Sequence, residues 1–108
     1  MQIQITPLAE QKLREALGDR PGYFKLFYDT VDCGCDGITV LLIRSQPDTG
    51  DIEIDAGTLP FLINPQQDIF YEELMLLDVE ANYPSFKLSS HSTIYSSNVK
   101  TRDIREEE

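Results

Sequence analysis

The chain has 108 residues, of which 41% are apolar and 26% charged, and a formal net charge of -10 from 19 acidic and 9 basic side chains. That length is one domain able to bury a modest core, and the composition is that of a globular protein, not a disordered one. So acidic a chain repels nucleic acid and anionic membrane; no run reaches membrane-span length and the N-terminus lacks a secretory pattern, so the expectation is a cytoplasmic protein.

In chain order, Ile3 and Ile5 alternate with polar residues and predict a strand over residues 2–5. Thr6 can cap a helix, Pro7 fits its first position, and Leu8, Leu13 and Leu17 with Ala9 and Ala16 form an apolar stripe over residues 7–17. Gly18 supplies the stop. After a turn at residues 19–22, residues 23–30 read as a strand with Phe24, Leu26 and Tyr28 on a buried face and Tyr23, Lys25 and Phe27 on an amphipathic one. Residues 37–44 are β-branched and apolar, a central strand buried on both sides.

Residues 46–51 read as a solvent turn, and Ile52 and Ile54, alternating with Asp51, Glu53 and Asp55, as an exposed edge strand. Residues 58–63 form another strand, which Pro60 assigns to an edge or a bulge. Asn64-Pro65 opens a short helix through about Tyr71, and a strand follows over about 75–82, turning at 82–85 into a partner strand marked by Phe86 and Leu88. From Ser89 the chain is rich in Ser, Thr and Asn; Ile94 and Tyr95 suit a last short strand, and residues 98–108 read as an acidic tail that frays. The expectation is α+β: a domain over residues 1–97, a strand-rich sandwich or half-barrel of about seven mostly antiparallel strands, with the N-terminal helix and one further short helix.

The candidate chemistry sits between two of these strands, in Asp32-Cys33-Gly34-Cys35-Asp36-Gly37, which holds both cysteines of the chain. With no export signal these read as reduced thiols, and a bridge across so small a loop would be strained. Thiolates are soft ligands for iron, zinc or copper(I). The neighbouring carboxylates of Asp32 and Asp36 raise the thiol pKa until a metal compensates. Two thiolates are too few for a cluster or a closed zinc site, whereas two copies of the turn in a homodimer would offer four. The plain alternative makes Cys35 a small turn residue and Cys33 a filler.

His91, the one histidine, could complete a metal site with Cys35, although a surface position in a Ser/Thr-rich segment explains it more simply. Glu72-Glu73 and the acidic residues of 51–55 read as solvated faces, and Ser89, Ser90, Ser92, Ser96 and Ser97 as marks of a loop. No nucleophile–base pair or phosphate loop is present, so an enzyme is not expected.

The order of these elements resembles the iron–sulfur cluster biosynthesis domain, the HesB-like or A-type carrier family. The resemblance is carried by Ile3-Gln4-Ile5-Thr6-Pro7-Leu8-Ala9, by Tyr23-Phe24-Lys25-Leu26, by Gly34-Cys35-Asp36-Gly37, similar to the family's Gly-Cys-Ser-Gly turn, and by Ser85-Phe86-Lys87-Leu88. It implies a compact α+β fold, Cys35 as an iron or [2Fe-2S] ligand with Cys33 beside it, and cluster-assembly or acceptor proteins as partners. The family's remaining ligands lie in a C-terminal Cys-Gly-Cys; here that region reads Ser96-Ser97-Asn98-Val99-Lys100. Two readings therefore stand: an iron–sulfur carrier or scaffold with an altered ligand set, or a protein-interaction module that keeps the fold without the cargo.

Overall fold

The computed structural model describes residues 1–29, 38–57, 59–80, 82 and 85–105. Eight strands and one α-helix follow in the order β1 (Gln2–Ile5), α1 (Pro7–Leu17), β2 (Tyr23–Asp29), β3 (Ile38–Arg44), β4 (Ile52–Ile54), β5 (Phe61–Ile63), β6 (Leu74–Val79), β7 (Phe86–Ser89) and β8 (Ile94–Asp103). They form a single sheet in the order β1-β6-β7-β8-β3-β2-β5-β4. Its two outer strands meet: Ile3 N–H donates to the Asp55 carbonyl (2.8 Å) and Asp55 N–H to that of Met1 (3.3 Å). The sheet thus curls into an almost closed barrel. Pairing is mixed, with β1–β6, β2–β5 and β3–β8 parallel and the others antiparallel, where the sequence suggested a mostly antiparallel arrangement.

The barrel interior is one apolar cluster. Phe24 and Leu26 of β2 meet Leu41 and Ile43 of β3, Phe61 and Ile63 of β5, and Met75, Leu77, Leu88 and Val99 from the other half of the sheet. Phe24 and Phe61 pack ring to ring at 5.3 Å. Helix α1 buries Ala9 and Leu13 and begins as its sequence dictates: Pro7 opens it and Ala9 N–H donates to Thr6 Oγ1 (3.4 Å). Thr6 Oγ1 in turn donates to Asp78 Oδ1 on β6 (2.9 Å), which fixes the helix entry on the barrel wall. Gly18 ends the helix at φ 64°, where a side chain would be strained.

Several expectations are corrected here. Among the described residues there are eight strands, and the second short helix is only a three-residue 3₁₀ turn at Asp68–Phe70. Asn64 and Gln67 spend their bonds on other partners: the Asn64 side chain accepts from Gln66 N–H (2.8 Å), and the Gln67 amide brackets the Tyr28 backbone with two 3.0 Å bonds. β5 is an interior strand between β2 and β4, because Pro60 precedes it and offers its carbonyl to Phe24 N–H (2.9 Å).

The segment over 46–51 is not a plain solvent turn. It folds over the outer face of β2, where Lys25 is buried between Leu42 and Leu62 of the adjoining strands, and gives that ammonium two carboxylates, Asp48 at 2.8 Å and Asp51 at 3.1 Å.

The C-terminal region departs furthest from expectation. β8 is ten residues long, antiparallel to β7 and parallel to β3, and it carries the chain to Asp103 where a fraying tail from residue 98 was expected. Arg105 then docks on the C-terminal end of α1, donating to the carbonyls of Leu17 (3.0 Å), Arg20 (3.0 Å) and Ala16 (3.4 Å) and, through Nη2, to Asp103 (2.8 Å).

Candidate functional site

The connection between β2 and β3 carries the candidate thiols. Strands β2 and β3 stay in register to their last pair, Asp29 opposite Ile38. Cys33 and Cys35 fall in residues 30–37, outside the described residues. What the structure fixes is the root of that connection, and it is stiffly built. The Tyr28 backbone is held on both sides by the Gln67 amide, and its ring packs on Phe70 at 4.8 Å. The buried Asp29 carboxylate accepts from Arg102 Nη1 of β8 at 3.3 Å.

Beside Ile38, the Thr39 hydroxyl shares a 3.0 Å hydrogen bond with Tyr71 Oη. Burial pushes the Tyr71 phenol above its ordinary pKa, so it remains a neutral hydrogen-bonding group. Tyr71 packs against Tyr95 at 5.7 Å, and Tyr95 Oη donates to Glu72 Oε2 at 3.1 Å. The same oxygen accepts from Ser90 Oγ and from Ser92 Oγ (2.8 Å). The hydroxyl of Ser90 foremost, then that of Ser92, hold the Glu72 carboxyl below the usual carboxylate range. Glu72 is therefore no idle solvated residue: it ties the β7–β8 turn to the segment before β6.

Between these elements lies a cleft of about 600 Å³, of a size suited to a small molecule. One wall is aromatic, from Tyr28, Phe70, Tyr71 and Tyr95. The other comes from β8, where Ser96, Asn98, Lys100, Thr101 and Arg102 line it beside an irregular, bulged pairing with β7. Ile38 and Val40, the first residues after the thiol-bearing connection, complete it. The wall in the region where the resemblance puts the family's second cysteine pair thus carries hydroxyl, amide and ammonium groups. That β8 wall was missed by the sequence reading, because a nearly all-polar run around the single apolar Val99 reads as a loop.

His91 lies exposed in the β7–β8 turn, in a groove with Gln4, Leu74, Met75 and Leu76, and does not line the cleft. Among the described residues no three His, Cys, Asp or Glu side chains come together as a metal site. No helix among them is long and apolar enough to cross a membrane.

The profile of the iron-sulphur cluster biosynthesis family matches residues 1–103. The chain belongs to that family. It is 28% identical over 100 residues to the uncharacterized protein YqkB of Bacillus subtilis (strain 168), covering 89% of this chain and 92% of YqkB. It is 29% identical over 100 residues to the mitochondrial iron-sulfur cluster assembly 1 homolog of Columba livia, covering 91% and 71% of the two chains. Among solved structures, a candidate Fe-S biosynthesis protein from Lactobacillus acidophilus superposes with a TM-score of 0.77 at 16% identity, over 94% of this chain and 88% of that one. SufA of Escherichia coli, involved in biosynthesis of iron-sulfur clusters, does so at 0.62 and 22% identity, over 83% and 86%. These likenesses establish the fold; the resemblance first carried by the short segments around Thr6, Phe24, Cys35 and Phe86 is a family relationship along nearly the whole chain.

Proposed function

We propose that the protein serves iron–sulfur cluster biogenesis as a carrier or scaffold, not an enzyme, with iron or a [2Fe-2S] cluster as cargo held by Cys35 and assisted by Cys33. The observation that carries this reading is the family match over residues 1–103, which spans the Gly34-Cys35-Asp36-Gly37 turn. The donor chemistry agrees: thiolates are the ordinary protein ligands of iron–sulfur clusters, and metal binding favours the thiolate over the thiol. One chain offers two thiolates where such clusters commonly take four, so a second copy placing its own turn opposite completes the set.

The test is anaerobic reconstitution with ferrous iron and sulfide, followed in the visible spectrum. Coloured protein is expected from the natural chain, weaker colour from Cys33→Ser and none from Cys35→Ser. A natural chain that stays colourless, or a Cys35→Ser variant that colours equally, overturns the reading. The second reading, an interaction module without cargo, draws on the polar β8 wall of Ser96, Asn98 and Lys100; partner capture undiminished by Cys33→Ser with Cys35→Ser would support it.

A further inference from the structure

Among the described residues the barrel seam is closed at one point, the bridge of Gln2 beside Asp55. Gln2 and Thr6 donate their N–H groups toward β6, to the carbonyls of Glu73 (2.7 Å) and Leu77 (3.1 Å). By the alternation of a strand, Ile3 and Ile5 turn their backbone groups to the seam. Ile3 N–H reaches the Asp55 carbonyl there. A parallel ladder would continue with Gly57 N–H on the Ile3 carbonyl and Ile5 N–H on the Gly57 carbonyl. It stops instead: Gly57, at φ 75°, turns the chain aside, and its N–H faces Asp55 Oδ1 at 3.5 Å. Among the described residues no backbone bond across the seam reaches the Ile3 carbonyl or either group of Ile5. A groove of about 370 Å³ runs beside this open edge, with Ile3 and Ile5 on one side and the small residues Ala56 and Gly57 on the other. Its charged lining residues are Asp55, which is exposed, and Glu10, which shares its charge with Arg14 at 3.5 Å. No cationic side chain lines it among the described residues.

We infer that this edge takes an extended, basic segment of a partner protein as an added strand. One residue of the segment exchanges both backbone bonds with Ile5, and the Ile3 carbonyl accepts a third, the ordinary means by which a strand edge recognises a peptide. Ala56 and Gly57 leave room for the segment's side chains, and its Lys or Arg residues meet the Asp55 carboxylate. A chain of net charge -10 draws such a segment in and turns an acidic one away. The inference stands apart from the iron–sulfur role, because the seam and the β2–β3 connection belong to different strands of the barrel.

The probes are the capped peptide Lys-Val-Lys-Val-Lys-Val, its glutamate counterpart Glu-Val-Glu-Val-Glu-Val, and the lysine peptide N-methylated at every residue, which keeps the charge and loses the backbone donors. Amide exchange and amide signals of the full chain are followed by NMR. Without peptide, the Ile5 amide should exchange faster than that of Thr6, which bonds the Leu77 carbonyl. Saturating lysine peptide should slow Ile5 about tenfold, the size of one net backbone hydrogen bond, and shift Ile3 and Gly57. The glutamate and N-methylated peptides should do neither. Asp55→Asn, which keeps the backbone bridge, should weaken the lysine peptide about threefold, the size of an exposed charge pair. An Ile5 amide already as slow as Thr6, or equal effects from the N-methylated peptide, overturns the inference. Shifts confined to Ile52 and Glu53 would put the peptide on β4 and overturn it too. So would dimerisation without peptide in which the Ile5 signal moves on dilution, since the edge then belongs to a second copy.

Discussion

Replacing Arg105 with Ala tests whether the end of the described chain is a working part of the fold. The guanidinium is 4% exposed and gathers the carbonyls of Ala16 and Leu17 at the end of α1 and that of Arg20 in the turn after it, while Nε and Nη2 hold the Asp103 carboxylate. A hydrogen bond to a charged group is worth about 1.5–3 kcal/mol, and the freed carbonyls recover only part of theirs from water, so Arg105→Ala should cost about 3 kcal/mol. For a domain of this size that is a fall in Tm of roughly 12 °C or more, read by thermal unfolding followed by circular dichroism.

Arg105→Lys, with its single ammonium, cannot span the same acceptors and should fall in between. A second signature is pH dependence. Asp103 is held at about 2, chiefly by its hydrogen bonds from Arg105. A carboxyl depressed on folding stabilises fully above its unfolded pKa of about 3.9, and that contribution disappears as pH falls through the folded value. The natural chain should therefore lose stability between about pH 4 and pH 2 more steeply than Arg105→Ala does. An unchanged Tm, together with superimposable acid limbs, would refute the docking argument.

Lys25→Met should destabilise by about 3 kcal/mol in urea unfolding, because Asp51, with its side chain 1% exposed, is left as an unpaired buried carboxylate; adding Asp51→Asn should recover part of that loss, and no recovery would contradict the account. Glu72→Gln should speed amide exchange at Ser92 and Thr93, whose N–H groups bond the Ser90 hydroxyl that Glu72 holds, and the natural chain should behave alike once pH falls through the lowered Glu72 pKa. Gly22→Ala should loosen the docked arginine, since a Cβ there meets Arg105 Cδ at 3.2 Å and the Arg44 carbonyl at 3.2 Å; a Tm equal to that of the natural chain would show that the neighbours yield freely.

The sequence was most informative where local chemistry and burial agree. Thr6, Pro7 and Gly18 bound α1 at the residues expected, because capping and backbone constraints act within a few residues. β2 and β3 announced themselves through long apolar or aromatic runs that the barrel interior requires. β8 stayed hidden because only Val99 of its first eight residues is buried; its place is fixed by backbone pairing to β7 and β3, which leaves no trace in hydropathy. Lys25 was assigned to an amphipathic face for a similar reason: its carboxylate partners lie 23 and 26 residues on, and no period along β2 reports them. For the candidate site, Cys33 and Cys35 fall outside the described residues, and the polar β8 wall of the neighbouring cleft was not legible. It takes the sheet order to bring residues 96–102 beside residue 38.

The meeting of Met1 and Ile3 with Asp55 has a consequence for behaviour at high concentration. A sheet that stopped at β1 on one side and β4 on the other would offer two open rims of amide and carbonyl groups, ready templates for stacking chain upon chain. Here the two rims are pinned together at one bridge, Gln2 beside Asp55, and β4 is only three residues long. Loosening that junction, by Pro at position 3 for example, would convert a self-contained molecule into one prone to fibrous assembly.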